Sequence, residues 1–442
     1  MKRLLFIITF LVLAICSLHA QEYSSPEYIS MGREQSRSKV VSYPTAEQAQ
    51  ALSAGVVESK YVRPVTEWIR TEEDDAFVFT SKYVIPFMWL SRMAILYVDE
   101  ASGAYEVFVN GKKVGYTANA FAPAEFNITK SSKEDVNTIS IRVLKEHLSR
   151  KIECFNDTTE ARLGEVYVMS QPVIRVRDIV HKTNIDVKGE FANVELGVIV
   201  KTETLNPKRA RIHYELVAPD TTVVTYGHRD ITIGMRGEDT IKFLAKIPYS
   251  HTWSADNPVR YRLNVNTQVE GRYVEYQSHM VGFRTVETDA EGKFYINGVK
   301  QELSFQDINP MTVTSEDIEQ ARKLKCNAVR FKMGAVPQNV YRMCDSLGMY
   351  VIAQVPINTK ESGLSRRKDG NPSNDPQWKS AYLDRAETAY RTTSGQACVI
   401  GYILAEESAN GINLYESYLR LKEMEKSRPV IYKSAANEWN SD

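Results

Sequence analysis

The sequence lacks net charge. Across 442 residues, Lys+Arg and Asp+Glu number 55 each. That balance argues against nucleic acid or an anionic membrane as the main partner, since both call for a basic surface. No histidine follows His279. Cysteines are few and scattered: Cys154, Cys326, Cys344 and Cys398 sit singly in apolar settings. Such spacing gives neither a zinc ligand set nor a disulfide scaffold, and it predicts buried free thiols. Internal repeats, low-complexity tracts and long linkers are absent, as is any motif for a metal or cofactor. The one long apolar run, Leu4 to Ile15, is too short to span a membrane comfortably. Lys2 and Arg3 precede it, and Ala20 stands before Gln21, which makes residues 1–20 a secretory signal. The expected location is the periplasm or outer surface of a bacterium. The rival reading takes Leu13-Ala14-Ile15-Cys16 as a lipoprotein box anchored through Cys16, but Ile15 is large for that position.

What is present is a sequence 43% hydrophobic and long enough for about three domains. Residues 21–75 read as irregular, with one helix-like stretch from Ala46 to Ala54. Over 76–172, Phe77 to Phe79, Ala94 to Tyr97, Tyr105 to Val109 and Thr138 to Val143 read as strands, and Asn110-Gly111 as a two-residue hairpin turn. Strands in that rhythm predict a sandwich or a jelly roll. Over 173–287, about seven short strands suit an immunoglobulin-like sandwich.

From 288 to 442 the rhythm changes. Phe294-Tyr295-Ile296 reads as a strand closed by a turn at Asn297-Gly298. Ser315 opens a helix with acids in its first turn, and Ile318, Ala321 and Leu324 keep helical spacing. Ala328 to Phe331 is a buried strand, Val340 to Leu347 a helix stopped at Gly348, and Met349 to Val355 a nearly all-apolar strand. Strand, helix, strand, helix, strand with right-handed crossovers is how a (β/α) barrel begins.

These residues resemble glycoside hydrolase family 2, the β-galactosidase and β-glucuronidase group. Gly292-Lys293-Phe294-Tyr295-Ile296-Asn297-Gly298, Asn327-Ala328-Val329-Arg330 and Cys344-Asp345 with Tyr350-Val351-Ile352 are similar, in order and spacing, to the start of that family's barrel. Val109-Asn110-Gly111, Glu125-Phe126-Asn127-Ile128-Thr129 and Leu163-Gly164-Glu165-Val166-Tyr167 resemble its sugar-binding jelly roll. Trp253 to Pro258 resembles the approach to the last strands of its middle domain. The implied fold is a multidomain β plus α/β chain: galactose-binding-like jelly roll, immunoglobulin-like sandwich, then a partial (β/α) TIM-type barrel.

The resemblance also implies a chemistry. Glycoside hydrolysis with retention uses two carboxylates about 5–5.5 Å apart, one as acid/base and one as nucleophile. In Ile403-Leu404-Ala405-Glu406-Glu407-Ser408, an apolar strand ends in acids where the family has Asn-Glu-Ser. This puts the acid/base on Glu407 and replaces a sugar-binding Asn with Glu406; a slip of one residue would choose Glu406 instead. Arg330, Asp307, Gln354 and Asn410 are the candidate substrate contacts.

Several family groups are replaced. Gln354 stands where the family has an acid, Phe331-Lys332-Met333-Gly334 where it has Ser-His-Tyr-Pro, and Ser394-Gly395-Gln396-Ala397 where it has Asn-His-Pro-Ser. Arg428 to Tyr432 resembles its fifth barrel strand, and its nucleophile lies on a later one. Glu438 follows the wrong strand to substitute. Five strands cannot close an eight-stranded barrel. The sequence therefore implies a truncated or split gene, a remnant capped in another way, or a homo-oligomer or partner chain that completes the barrel. The expected function is an exported family 2-like protein of carbohydrate metabolism that acts on β-galactosides, β-glucuronides or β-mannosides and is catalytically impaired as written. The alternative is a non-catalytic carbohydrate- or protein-binding protein on the same scaffold. The expected partner is a glycan.

Overall fold

A computed structural model of the chain describes residues 25–38, 40–51, 59–155, 160–186, 188–365, 370–435 and 438–442. The leader expected at 1–20, with Cys16, lies outside the described residues.

The first domain packs a six-stranded sheet on a four-stranded one, with all pairings antiparallel. Tyr105, Val107 and Val109 alternate into the core beside Ile139, Ile141 and Val143. Asn110 and Gly111 take φ of 48° and 78°, as a hairpin turn of the I′ type requires. The domain begins earlier than the sequence pattern implies. Inside the segment read as irregular, Ser30–Met31, Val62–Pro64 and Ile69–Glu72 pair with Lys112–Thr117, Val166–Gln171 and Ala76–Ile85. These strands are too short to show alternation, and Ile69–Glu72 is an edge exposed along its whole length.

The second domain has the seven strands expected. Ile174–Ile185, Phe191–Thr202 and Glu238–Pro248 form one sheet; Lys208–Val217, Val223–Ile233, Tyr261–Val269 and Arg272–Val281 form the other. Val176, Leu196, Val198, Ile212, Leu263 and Val265 fill the space between them.

The third domain is a sheet of five parallel strands: β1 (Phe305–Ile308), β2 (Ala328–Phe331), β3 (Tyr350–Gln354), β4 (Val399–Ile403) and β5 (Val430–Ile431), in that spatial order. Helices α1 (Ser315–Lys323), α2 (Gln338–Leu347), α3 (Lys379–Thr393) and α4 (Ile412–Met424) make the crossovers. Two expectations need correction. Phe294–Ile296 is not the first barrel strand, because the Asn297-Gly298 turn sends the chain back antiparallel onto Val299–Gln301 in a separate small sheet. The first barrel strand is β1, whose middle residues Gln306 and Asp307 break the apolar pattern. The cap of α1 is Thr314 rather than Ser315: Thr314 Oγ1 accepts from Asp317 N–H at 3.3 Å, and Thr314 N–H donates to Asp317 Oδ2 at 2.8 Å, a reciprocal capping box.

The outer edge of β5 carries residues of the same chain. Asp442 N–H donates to Val430 O at 2.9 Å, Val430 N–H donates to Asp442 Oδ2 at 2.8 Å, and Tyr432 N–H donates to Ser441 Oγ at 3.0 Å. Backbone groups that would otherwise take a neighbouring strand are thus satisfied.

The three domains are tied together. Residues 33–37 touch all of them: Arg33 is ion-paired with Asp384 of α3, Glu34 meets Arg175 at 2.9 Å and Arg177 at 3.2 Å, and Arg37 meets Glu125 at 2.9 Å. Removing either member of such buried pairs strands a charge, which makes the strap specific in register. Trp253, fully buried, donates its indole N–H to the carbonyl of Asp345 in α2 at 2.9 Å.

Candidate functional site

Because the five strands are parallel, their carboxyl ends share one mouth. β1 delivers Asp307, β2 Arg330 and β3 Gln354; the turn after β4 delivers Glu406 and Glu407, and the turn after β5 delivers Lys433. Arg330 Nε meets Asp307 Oδ1 at 2.6 Å, with both side chains more than half exposed. Asp307 also lines a groove of about 370 Å³ between β1 and α1, with Asn309, Asp317, Gln320 and Leu324.

Glu406 is half-buried and looks into the mouth. Its Oε1 accepts from Gln354 Nε2 at 3.4 Å, and the same amide donates to Phe331 O at 3.0 Å. Burial pushes the Glu406 carboxyl above the usual carboxylate range; the charges of Lys433 and Arg330 oppose that, and Glu407 reinforces it. The acid whose charge bears on Glu406 is therefore its neighbour in the chain.

Glu407 faces elsewhere. It is exposed, with φ of 40°, and its Oε2 accepts from Asn358 Nδ2 at 3.0 Å. Asn358 is 3% exposed and was not singled out from the sequence. Its only signal there is a polar residue closing the apolar run Val355-Pro356-Ile357. The turn beneath is knitted by hydroxyls: Thr359 N–H donates to Ser408 Oγ at 3.1 Å, Ser408 Oγ donates to Glu406 O at 2.9 Å, and Tyr432 Oη donates to Ser408 O at 2.7 Å.

Not every candidate reaches the mouth. Asn410 is 6% exposed and turned inward onto Asn440, which departs from the substrate contact expected of it. Glu438 lies past β5, where its N–H donates to Ala435 O at 3.1 Å. Trp378, at the start of α3, is likewise buried. Among the described residues no cluster of three or more His, Cys, Asp or Glu is placed to hold a metal ion.

Two β-sandwiches leading into a parallel α/β sheet, with adjacent carboxylates at its strand ends, define a glycoside hydrolase scaffold. Three successive matches identify which one. Residues 30–170 match the glycosyl hydrolase 2 galactose-binding domain-like model, 174–284 the glycosyl hydrolases family 2 model, and 291–441 the family's TIM barrel domain. The chain belongs to glycosyl hydrolase family 2. It is 26% identical over 436 residues to a β-galactosidase of Priestia megaterium, covering 93% of this chain and 39% of that protein. It is also 26% identical over 356 residues to the β-galactosidase large subunit of Lactobacillus acidophilus, covering 77% of this chain and 55% of that protein. The chain thus spans less than two thirds of these relatives. Among solved structures, Bacteroides uniformis β-glucuronidase 2 superposes with a TM-score of 0.69 at 16% identity, over 81% of this chain and 46% of that one. A β-D-glucuronidase of Dictyoglomus thermophilum gives 0.66 at 15% identity, over 85% of this chain and 73% of that one.

Proposed function

We propose that the chain is exported and recognises β-linked glycosides at the mouth of its parallel sheet, and that these 442 residues by themselves do not hydrolyse them. The observation that carries this reading is the gathering of Glu406, Gln354, Arg330 and Lys433 at one set of strand ends: a raised-pKa carboxyl, an amide and two cations around one opening. Sugar hydroxyls both donate and accept, and this mixed set can answer them. Retaining hydrolysis needs a second carboxylate across a gap of about 5–5.5 Å. Here the acid that bears on Glu406 is adjacent in sequence, and it is engaged by Asn358. Lys2, Arg3 and the apolar run to Ile15 support export. Names among the relatives support β-galactosides and β-glucuronides as the ligands to try first, with β-mannosides tried beside them.

The test is calorimetric titration with phenyl thio-β-galactoside, thio-β-glucuronide and thio-β-mannoside, which resist cleavage. Saturable binding to at least one, weakened about tenfold or more by Glu406→Gln, is the expected result for a charge-assisted contact. Absence of binding to all three would overturn the reading.

A further inference from the structure

We infer that Asn358 is a positioning residue: supported by the jelly roll, it holds the Glu407 carboxylate away from Glu406 and leaves Glu406 as the carboxyl that meets the ligand. This assigns roles within the site proposed above and rests on that reading.

The geometry begins with the backbone. Asn358 N–H donates to Ile152 O at 2.9 Å, and Cys154 N–H donates to Asn358 O at 3.1 Å. Glu153 bridges Asn358 in parallel fashion, and Asn358 in turn bridges Glu406. A short stretch of the first domain is thereby bonded through its backbone to the mouth of the third. That stretch is itself clamped, because Glu153, fully buried, is ion-paired with Arg385 of α3, also fully buried. The Asn358 side chain is fixed at both ends: Oδ1 accepts from Lys360 N–H at 3.0 Å, so Nδ2 is the group turned to Glu407, at 3.0 Å. The orientation of the amide is therefore set by two bonds of opposite polarity.

The consequence is electrostatic. Two adjacent carboxylates raise each other's proton affinity as they approach. An amide that grips one of them through a charge-assisted bond keeps the pair apart. Glu407 itself holds a left-handed φ of 40°, and its carboxylate is bonded to Asn358 while that of Glu406 is bonded to Gln354. Glu406 then faces Gln354, Lys433 and Arg330, and Glu407, although gripped by Asn358, still reaches it with its charge.

The test is carbon-13 NMR of glutamate carboxyls in the full chain, with the Glu406 signal assigned by Glu406→Gln. In Asn358→Leu the Glu406 midpoint is expected to rise by about half a pH unit or more, because Glu407 is released toward it. Asn358→Ser, which keeps the backbone bonds and leaves the side chain too short to reach Glu407, should give the same shift and covers the case in which the leucine variant does not fold. A role in stability alone would lower the melting temperature and leave the Glu406 midpoint where it was; that result overturns the inference. Titration of the thioglycosides is read in parallel. Wild-type chain that binds none of them, with the NMR shift present, would refute the ligand site and leave the positioning role standing. Binding that Glu407→Gln weakens as strongly as Glu406→Gln would refute the division of roles.

Discussion

Asn410 and Asn440 exchange two amide hydrogen bonds: Asn440 Nδ2 donates to Asn410 Oδ1 at 2.8 Å, and Asn410 Nδ2 donates to Asn440 Oδ1 at 3.2 Å. Both residues are buried, so the pair fastens the turn after β5 to the turn after β4. Asn410→Leu would leave the Asn440 amide buried without a partner. The expected cost is about 1–3 kcal/mol, measured by urea unfolding, with ligand affinity changed far less than by Glu406→Gln.

Gly348 ends α2 with φ of 74°, and a Cβ there would lie 2.2 Å from the carbonyl oxygen of Ala255. Left-handed backbone alone costs a residue with a Cβ about 1–2 kcal/mol. Gly348→Ala should therefore lose more than that, since the contact between the second and third domains must also give way. A urea midpoint equal to wild type would contradict it.

Glu425 gives a pH-dependent test. Burial alone would raise its carboxyl, but the Arg428 guanidinium and the bonds from Ser427 outweigh it and hold the group at about 2. In the unfolded chain it takes up a proton near 4.5. Between those values the unfolded state binds more protons, so this contribution is complete above pH 4.5 and is lost as pH falls toward 2. The stability gap between wild type and Glu425→Gln should be on the order of 3 kcal/mol at neutral pH and close steadily in acid. A gap independent of pH would contradict the assignment.

Asp442 gathers three donors at its carboxylate: Val430 N–H at 2.8 Å, Lys422 Nζ at 2.8 Å and Tyr418 Oη at 2.7 Å. Asp442→Ala should destabilise the third domain by about 1.5–3 kcal/mol, the range for bonds to a charged group. It should also speed amide exchange at Val430, because the edge of β5 is opened to water. Exchange at Val430 unchanged by the substitution would refute the edge-capping role.

How much of this was readable beforehand depended on range. Asn110-Gly111 and Gly348 announced themselves because their conformations follow from local sterics. The buried strands β2, β3 and β4 were legible as apolar runs. β1 was not, because its outer edge is open and its middle residues are Gln306 and Asp307. Ser30–Met31 and Val62–Pro64 exist only through pairing with strands far along the chain. The acids after β4 stood out as a pair, but their division did not. Asn358 reaches Glu407 across 49 residues and is braced by Ile152 from a different domain, a relation that no local pattern encodes. Asn410 looked like a ligand contact for the same reason, its partner Asn440 being 30 residues away.

Recognition without turnover is what the proposed site implies. Its most direct test is a kinetic assay of this chain, at high enzyme concentration, on nitrophenyl β-galactoside, β-glucuronide and β-mannoside, with Glu407→Gln beside it. Release of nitrophenol is expected to be no faster than in the variant or in buffer, alongside saturable binding of the matching thioglycoside. Turnover by the wild-type chain that Glu407→Gln abolishes would contradict it, and would make Glu407 a working acid rather than a carboxylate held by Asn358.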